Sequence, residues 1–447
     1  MRADAREYPQ SATNNIWGKK GSTVSFGERW REIRTGFERS FWVANFTELF
    51  ERLAYYGLQA VLAIYLHERL GLSEAETGSI QGIFGFVVWF LPILGGAIAD
   101  RFGFRRTLAS AYGILAAGYF LFASIGGEWL APARAALPLY WVVLVILIVP
   151  ALGPGLVKPV VAGTTARASA ENVRSLGFSI YYTIVNVGGM LGPLLASFVR
   201  TSLGPEAVFI MSGSFSFAML LVTLLTFKEP TQPPGSQVTS VAATLRNMVV
   251  VLGNFRFVAF LLIFSGFYVV FWQVYIALPL YVRGYVDPNA PIDALIAVEG
   301  FGVITTTVLV AWLTRKWRPL PTMAVGVAVT SVAWLILLLG GGSIFIAATL
   351  LVVALGEALQ ASRFYEYCSR LAPRGQEGVF MGYAFLPIAI GFLIAGQIGG
   401  RLVRYFGDVR HTPARLWFVI CGIGLVTSLA LIVYDRFVVK ESAVTHK

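Results

Sequence analysis

Three ionisable residues stand close together in one otherwise apolar stretch of the chain. Glu48, Glu51 and Arg52 lie within the sequence TELFERLAYYG, and their i, i+3 and i+4 spacing places them along one face of a helix. Charged side chains in a membrane helix are costly unless they face a cavity and find partners there. A carboxylate beside a guanidinium can take up or release a proton and so change its ion-pair partner. The pattern predicts a proton-exchanging group inside a membrane.

A fourth charge lies in another apolar stretch, GPGLVKPVV, at Lys158. Glu51 is about 10 residues, or about 15 Å at 1.5 Å per residue, from the start of its segment, and Lys158 is about 9 residues from the end of its own. We therefore expect both side chains at similar depth, where a carboxylate–ammonium pair is geometrically feasible. A purely structural ion pair is the alternative, although a hydrophobic pair would hold two helices together as well or better.

The elements that must position these charges are membrane helices. The chain has 447 residues, of which 56% are hydrophobic and 13% charged, about half the charged share of a soluble domain. The apolar residues form blocks of about 20, the length that crosses a bilayer as a helix. The predicted fold class is an all-α membrane protein whose twelve spans cover 41–67, 75–99, 107–125, 137–167, 177–200, 206–227, 256–284, 293–314, 320–340, 343–371, 376–404 and 414–437.

A polar break between the sixth and seventh spans divides the chain into two halves. It begins KEPTQPPGSQ, and its proline, glycine and serine content is typical of a linker. The predicted organisation is a segment 1–40, a six-helix bundle 41–227, a linker 228–255, a second six-helix bundle 256–437 and a tail 438–447. Repeated halves with a midplane site between them are common among secondary transporters.

The distribution of basic residues predicts the orientation of the chain. On the side that holds both termini we count 24 of the 35 Lys and Arg residues, against 8 on the other side and 3 within spans. The positive-inside rule therefore predicts a multi-pass protein of the inner (cytoplasmic) membrane with both termini in the cytoplasm. The net charge of +11 is then a topology signal, and we expect no nucleic-acid partner. We expect the protein to be a monomer that is surrounded by the lipid bilayer.

Few residues of this sequence could bind a metal or take part in redox chemistry. The two cysteines, Cys368 and Cys421, stand alone in apolar segments, so that neither a disulfide framework nor a CxxC metal pair is formed from them. All three histidines fall at span ends or in loops, which leaves carboxylates for proton chemistry inside the membrane. We expect no metal and no cofactor, with protons as the coupling ion.

The loop between the second and third spans carries a recognisable motif, GGAIADRFGFRR. It resembles the loop signature GxxxDRxGxRR of the major facilitator superfamily. The resemblance implies a latch between conformations, not a substrate contact, formed by Gly96, Asp100, Arg101, Gly103, Arg105 and Arg106.

Four stretches in both halves resemble the proton-dependent oligopeptide transporter family. ELFERLAYYG is similar to its ExxER…YYG motif, and GPGLVKP to its GxGxxKP motif. FSIYYTIVNVG resembles FYxxINxG, and LGEALQASRFYEYCSRLAP resembles GExxxSP…LAP. The resemblance implies the major facilitator fold and a proton-coupling network of Glu48, Glu51, Arg52 and Lys158. Many bacterial members of that family have an extra helix pair between the halves, and we expect none here.

The substrate-binding residues implied by the resemblance include several departures from the family pattern. Gln59 stands where the family usually has a carboxylate-binding arginine, Trp272 where it has a coupling glutamate, and Trp89 where it tends to have a tyrosine. Arg363 replaces a proline, Glu299 is an extra charge, and Glu357 suits a cationic amine. The full predicted set is Tyr56, Gln59, Trp89, Lys158, Asn186, Trp272, Gln273, Glu299, Glu357 and Arg363.

The resemblance implies a proton-coupled symporter that imports small peptides or peptide-like compounds by alternating access. The alternative is a proton-coupled antiporter that exports apolar, cationic or lipid-like compounds, since Trp89 and Trp272 would suit cations stacked on indole. A membrane-embedded enzyme acting on lipid is disfavoured, because every histidine lies at a span end or in a loop and none lies in the interior of a predicted span. For each binding residue a structural role stays open, such as packing for Tyr56 or mutual neutralisation for Arg363 and Glu366.

Overall fold

The structure is a computed structural model that describes residues 35–231, 246, 249, 251–371 and 377–439. The predicted segment 1–40, the linker 228–255 and the tail 438–447 lie wholly or largely outside these ranges. Within them the chain is helical, with one isolated antiparallel bridge between Phe37 and Ser169. Only 28 residues separate the two halves, from 227 to 254, whereas a pair of spans needs about 40.

Sixteen α-helices lie within the described ranges. They are α1 Arg39–Ile64, α2 Glu74–Phe90, α3 Pro92–Phe102, α4 Phe104–Ala123, α5 Ala131–Ala136, α6 Leu139–Arg167, α7 Arg174–Leu203, α8 Pro205–Thr226, α9 Phe255–Phe271, α10 Ala277–Tyr285, α11 Ile292–Leu313, α12 Pro319–Ala333, α13 Ser343–Leu371, α14 Glu377–Tyr383, α15 Leu386–Arg404 and α16 Leu416–Tyr434. Short 3₁₀ or π segments extend or join them at Tyr65–Arg69, Glu128–Leu130, Glu171–Val173, Trp272–Val274, Trp334–Leu338, Tyr405–Val409, Pro413–Arg415 and Asp435–Val439.

These helices follow the predicted spans to within about three residues at each end. Among the described residues, nine helices are long and apolar enough to cross a membrane, and two bent pairs raise that number to eleven. Helix α1 carries three charges in its middle, and with it the set would reach the twelve predicted spans. An apolar run adopts a helix in lipid because a helix satisfies its own backbone hydrogen bonds.

Four predicted spans are broken rather than continuous. The span predicted at 75–99 bends by 43° between α2 and α3, where Pro92 removes a backbone donor from the helix. The span predicted at 256–284 is interrupted by the 3₁₀ turn Trp272–Val274, and those at 320–340 and 376–404 are broken near Trp334 and Tyr383. Trp272 lies at one of these breaks and is buried.

The helices form two bundles, each with its own apolar core. One core runs from Ala44 to Phe227, and the other contains residues from Val251 to Tyr434 together with a few residues of α1. Contacts between the bundles run mainly between α2 and α15 and between α7 and α11. The architecture is two helical bundles that face each other across a central space.

We call the face near the start of α1 and the end of α16 the terminal face, and the opposite one the far face. At the far face the two bundles touch closely. A methyl group on Gly78 of α2 would lie 2.5 Å from the carbonyl oxygen of Gly396 of α15, and one on Gly400 would collide with the carbonyl oxygen of Glu74. Only glycine permits so close a helix crossing.

Ion pairs join the two bundles at the same face. Arg200 of α7 donates to both carboxylate oxygens of Asp293 of α11, at 2.6 and 3.2 Å, and Asp293 is fully buried. Arg283 of α10 pairs with Glu68 at 2.8 Å. The far face is therefore closed by backbone contact and by charge.

Candidate functional site

The charged residues of α1 form a sealed cluster inside the first bundle. Glu48, Glu51 and Arg52 are each at most 1% exposed. Arg52 pairs with both carboxylates, with Nε lying 3.2 Å from an oxygen of Glu48 and a shorter contact to Glu51. The helix spacing that the sequence shows brings the guanidinium between the two acids. Two acids with one cation leave the cluster with an excess of negative charge.

Lys158 of α6 is buried beside this cluster, but it makes no ion pair within 4 Å among the described residues. Its Nζ lies over the indole ring of Trp89, 2.9 Å from the ring centroid, and has no hydrogen-bond partner in the described part of the chain. The expected pair between Lys158 and a glutamate of the first span is therefore not formed in this conformation. Arg52 pairs with the two carboxylates, and the Lys158 ammonium lies against the aromatic face of Trp89.

Trp89 connects the charged cluster to the central space between the bundles. Its Nε1 donates to the hydroxyl of Tyr55 at 3.2 Å, and its ring lies 6.0 Å from Trp272 of the second bundle, centroid to centroid. One face of this indole meets Lys158, while the side chain also lines the central cavity. Trp89 is thus the wall between the buried lysine and the cavity.

The central cavity lies where the bundles face each other, and aromatic side chains are the largest group in its lining. Its volume is about 130 Å³, which is smaller than that of most small-molecule sites. It is lined by Tyr56, Trp89, Tyr182, Val185, Asn186, Gly189, Tyr268, Phe271, Trp272, Tyr275, Glu299, Gly300, Val303, Glu357, Gln360, Ala361, Tyr365 and Ile388.

Six of the predicted substrate-binding residues line this cavity together, and the remaining four do not. The six are Tyr56, Trp89, Asn186, Trp272, Glu299 and Glu357. The cavity also brings in Tyr182, Tyr268, Tyr275, Tyr365 and Gln360, which the sequence motifs did not single out. Gln360 follows Glu357 by three residues, so helical spacing alone would have placed both on one face.

The four predicted residues outside the cavity lining have local partners. Gln59 is fully buried in the first bundle and donates to the Tyr55 hydroxyl at 3.2 Å. Gln273 donates to the carbonyl oxygens of Val269 and Ala395 at 3.0 and 3.3 Å, and so ties the 3₁₀ turn to α15. Lys158 lies behind Trp89, as described above.

Arg363, the fourth, is held at the end of its span. It donates to a carboxylate oxygen of Glu366 and to the carbonyl oxygen of Thr314, both at 2.7 Å. Glu366 also accepts from Arg370 at 2.5 Å. Their role as substrate contacts stays a prediction, to be tested by substitution, and in this conformation these side chains serve helix contacts.

Two carboxyl groups face the cavity from neighbouring helices of the second bundle. Glu299 of α11 is 7% exposed, and Glu357 lies on α13, which packs against α11. The two side chains are close enough to share a hydrogen bond. We call Glu299 and Glu357 the acid pair. Among the described residues, no lysine or arginine lines the same cavity.

The predicted latch motif lies at the terminal face and joins elements of the first bundle. Asp100 of α3 accepts from Arg167 of α6 at 2.8 Å. Gly103 has φ +88°, a conformation that favours glycine.

The start of α4, just after this turn, binds a carboxylate that sequence reasoning missed. Glu229 accepts from the backbone N–H groups of Phe104 and Arg105 at 2.6 and 3.0 Å. A carboxylate is favoured at a helix N-terminus because unpaired N–H groups and the helix dipole meet there. The Arg105 side chain donates to the carbonyl oxygen of Leu224. Arg101 lies over the Phe102 ring, 5.5 Å from its centroid, Gly96 lies in α3, and Arg106 is exposed.

Two facing membrane bundles with a polar site between them are the architecture of a secondary transporter. The family model of the Major Facilitator Superfamily matches residues 45–396. The chain therefore belongs to the Major Facilitator Superfamily. It is a multi-pass membrane transporter and not an enzyme.

Similar proteins of assigned function include a peptide permease and a multidrug resistance protein. The chain is 26% identical to "Dipeptide and tripeptide permease A" of Serratia proteamaculans, over 88% of this chain and 90% of the relative. It is 24% identical to "Multidrug resistance protein MdtH" of Escherichia coli, over 85% of this chain and 90% of the relative. The chain thus aligns with most of both relatives.

Solved structures of similar fold include several peptide transporters. A structure of an auto inhibited POT family peptide transporter superposes with a TM-score of 0.73 at 20% identity, over 90% of this chain and 97% of the other. The POT family transporter PepTSo also gives 0.73, at 19% identity, over 89% and 98%. These comparisons confirm the major facilitator fold and the resemblance to the peptide transporter family.

Proposed function

We propose that this protein is a proton-coupled symporter that imports small peptides or peptide-like compounds by alternating access. The observation that carries the proposal is the buried cluster of Glu48, Glu51 and Arg52 beside Lys158, separated from the cavity by Trp89. Buried charges of this kind hold helices together no better than apolar residues would, so a change of partners is the better reason for them. The permease relative and the peptide transporter folds support the choice of substrate.

Proton uptake would act through the partners of Arg52. A proton on Glu51 or Glu48 removes one negative charge, so that Arg52 is attracted less strongly to that side chain. The remaining carboxylate then keeps Arg52, and the electrostatic field at Lys158 changes. Lys158 could leave the face of Trp89 and approach a deprotonated glutamate of the cluster. Loss of the proton toward the cytoplasm would restore the pairs seen here.

The halves would rock about the central cavity while these partners change. The closed far face corresponds to a state open toward the termini, which we place in the cytoplasm of a cell with an inner membrane. A membrane potential of 100 mV adds about 2.3 kcal/mol for each charge that moves inward. The proposed transporter works as a monomer in the lipid bilayer, with protons as the coupling ion and no cofactor.

A second candidate function is proton-coupled export of cationic or apolar compounds. Two features favour it, the indole rings of Trp89 and Trp272 in the cavity wall and the multidrug resistance relative. In liposomes, a symporter accumulates its substrate when protons flow inward. An antiporter accumulates its substrate when protons flow outward.

The test is transport by purified protein in liposomes, with an inside-negative potential and an inward pH gradient. Radiolabelled di-alanine and tri-alanine are the probes, and Glu51→Gln is compared with Glu128→Gln, an exposed glutamate on the far-face loop. We expect Glu51→Gln to abolish proton-driven accumulation but to retain exchange between labelled and unlabelled peptide, because exchange needs no net proton movement. Glu128→Gln should behave as wild type.

Two results would overturn the proposal. Folded wild-type protein that moves no peptide under any gradient removes the peptide assignment. Accumulation by Glu51→Gln at the wild-type level removes the proton role of the cluster. Uptake only when the gradient is reversed would favour the export function.

A further inference from the structure

The acid pair places two neighbouring carboxyl groups in the wall of the central cavity. Glu299 and Glu357 face the same space from α11 and α13, and their carboxyl groups are within hydrogen-bonding reach of each other. Two carboxyl groups this close oppose each other's ionisation, and a cation placed beside both relieves that repulsion. The pair therefore favours a cationic group on whatever enters the cavity.

Three polar atoms in the cavity wall lack partners among the described residues. The Oε1 atom of Gln360, which is 1% exposed, accepts no hydrogen bond, and the Oε2 atom of Glu357 accepts none either. Trp272 is 2% exposed, and its Nε1 donates to no described atom. A buried polar group left without a partner is costly. Two acceptors beside an acid pair point to a ligand with several N–H donors, and the indole N–H points to an acceptor on that ligand.

The cations near the cavity are already engaged elsewhere. Lys158 lies behind Trp89, with its ammonium over the ring. Arg52 is bound to Glu48 and Glu51, and Arg363 is bound to Glu366 and a backbone carbonyl. A substrate carboxylate entering this cavity would therefore meet the acid pair without a described cation in the wall to neutralise it. Like charges brought together in this way oppose binding.

Taking the proposed peptide transport as its basis, we infer that this cavity selects peptide-like amines that lack a free carboxylate, such as dipeptide amides, over ordinary zwitterionic peptides. The ammonium of the substrate binds between the acid pair and Gln360, and a substrate carbonyl accepts from Trp272. The apolar side chains lie against the tyrosines and Phe271 of the wall. The acid pair and the absence of a lining cation act together to set this preference.

The test compares three compounds of nearly equal size in binding and in transport. Alanyl-alanine amide carries only the cation, alanyl-alanine carries both charges, and N-acetyl-alanyl-alanine amide carries neither. Binding is read from the thermal shift of the detergent-purified protein and from the fluorescence of its cavity tryptophans. Uptake is read in liposomes with and without a proton gradient, and protein-free liposomes correct for passive entry of the amine.

We expect the amide to bind about tenfold or more tightly than the free dipeptide, which is the scale of one charge-assisted hydrogen bond. The acetylated compound should bind as weakly as the free dipeptide or more weakly. Glu299→Gln should lower affinity for the amide by about the same factor and narrow its advantage over alanyl-alanine, while Glu128→Gln should change neither.

The outcomes separate this inference from the proposed function. Proton-driven uptake of alanyl-alanine with equal or weaker binding of the amide overturns the inference and leaves symport standing. Preferred binding of the amide whose uptake ignores the proton gradient supports the inference and removes symport. Failure of all three compounds to bind to folded protein overturns the inference, as does an amide preference that survives Glu299→Gln unchanged.

Discussion

The charged cluster of the first bundle and the acid pair of the second differ in what surrounds them. Glu48, Glu51 and Arg52 are sealed inside their own bundle and bound to one another. Glu299 and Glu357 face the cavity, and Glu357 keeps an oxygen without a described partner. One group of charges lies inside its own bundle, and the other faces the space that a ligand can enter.

This difference separates proton coupling from substrate contact. A sealed cluster can change its internal partners without meeting substrate, while an open pair can meet substrate directly. Trp89 is the side chain that touches both environments, because it covers Lys158 and also lines the cavity. In the proposed mechanism the charged cluster of the first bundle takes up the proton and the acid pair of the second contacts the substrate. The indole of Trp89 lies between these two groups.

The largest expected effect tests whether the charged cluster and the acid pair contribute differently to the free energy of unfolding. Arg52→Gln leaves two buried carboxylates without their cation and should lower the free energy of unfolding by about 3–5 kcal/mol. Glu299→Gln removes one of two neighbouring carboxyl groups and should change stability by less than about 1 kcal/mol. Denaturant unfolding in detergent measures both.

A compensating variant checks the cause of the Arg52 effect. The triple variant Glu48→Gln, Glu51→Gln, Arg52→Gln contains no buried charge in α1, and we expect it to recover most of the stability that Arg52→Gln loses. A triple variant as unstable as the single one would show that packing, and not charge, makes Arg52 necessary.

A second prediction concerns access from water. After replacement of the two native cysteines, Glu357→Cys should react with a water-soluble thiol reagent about tenfold or more faster than Glu51→Cys, because reactivity follows exposure. Reaction rates are measured in liposomes by mass spectrometry. Equal rates at the two positions would remove the distinction between a sealed cluster and an open pair.

A third and smaller effect should come from replacing Trp89, which lies between the charged cluster and the acid pair. Trp89→Leu removes the ring that holds the Lys158 ammonium, an interaction worth about 2 kcal/mol when water is excluded. We expect proton-driven accumulation to fall about tenfold or less while peptide exchange persists. Trp141→Leu is the control, since Trp141 is 54% exposed. A parallel loss of both activities in Trp89→Leu would mean that Trp89 acts only as a substrate contact.

Much of the site could be found from sequence because motif and helix spacing are local properties. The i, i+3, i+4 pattern placed Glu48, Glu51 and Arg52 together, and the structure has them in contact. Gln59 and Gln273 were harder, since their motif positions say nothing about which way a helix is turned. Both side chains face helix neighbours instead of the cavity. Glu229 could not be found at all, because its partners at the start of α4 are more than 120 residues away.

By itself the sequence determined the spans, the division into halves and the charges that each span carries. These follow from the length of apolar runs and from residue type, which need no knowledge of neighbours. Only the tertiary structure decided which partner each charge has. Lys158 lies on an indole instead of a carboxylate, Glu299 meets Glu357 across two helices, and Trp272 lines the cavity at a break in its helix. Such contacts depend on helix rotation and on bends in the spans, which distant residues set through packing.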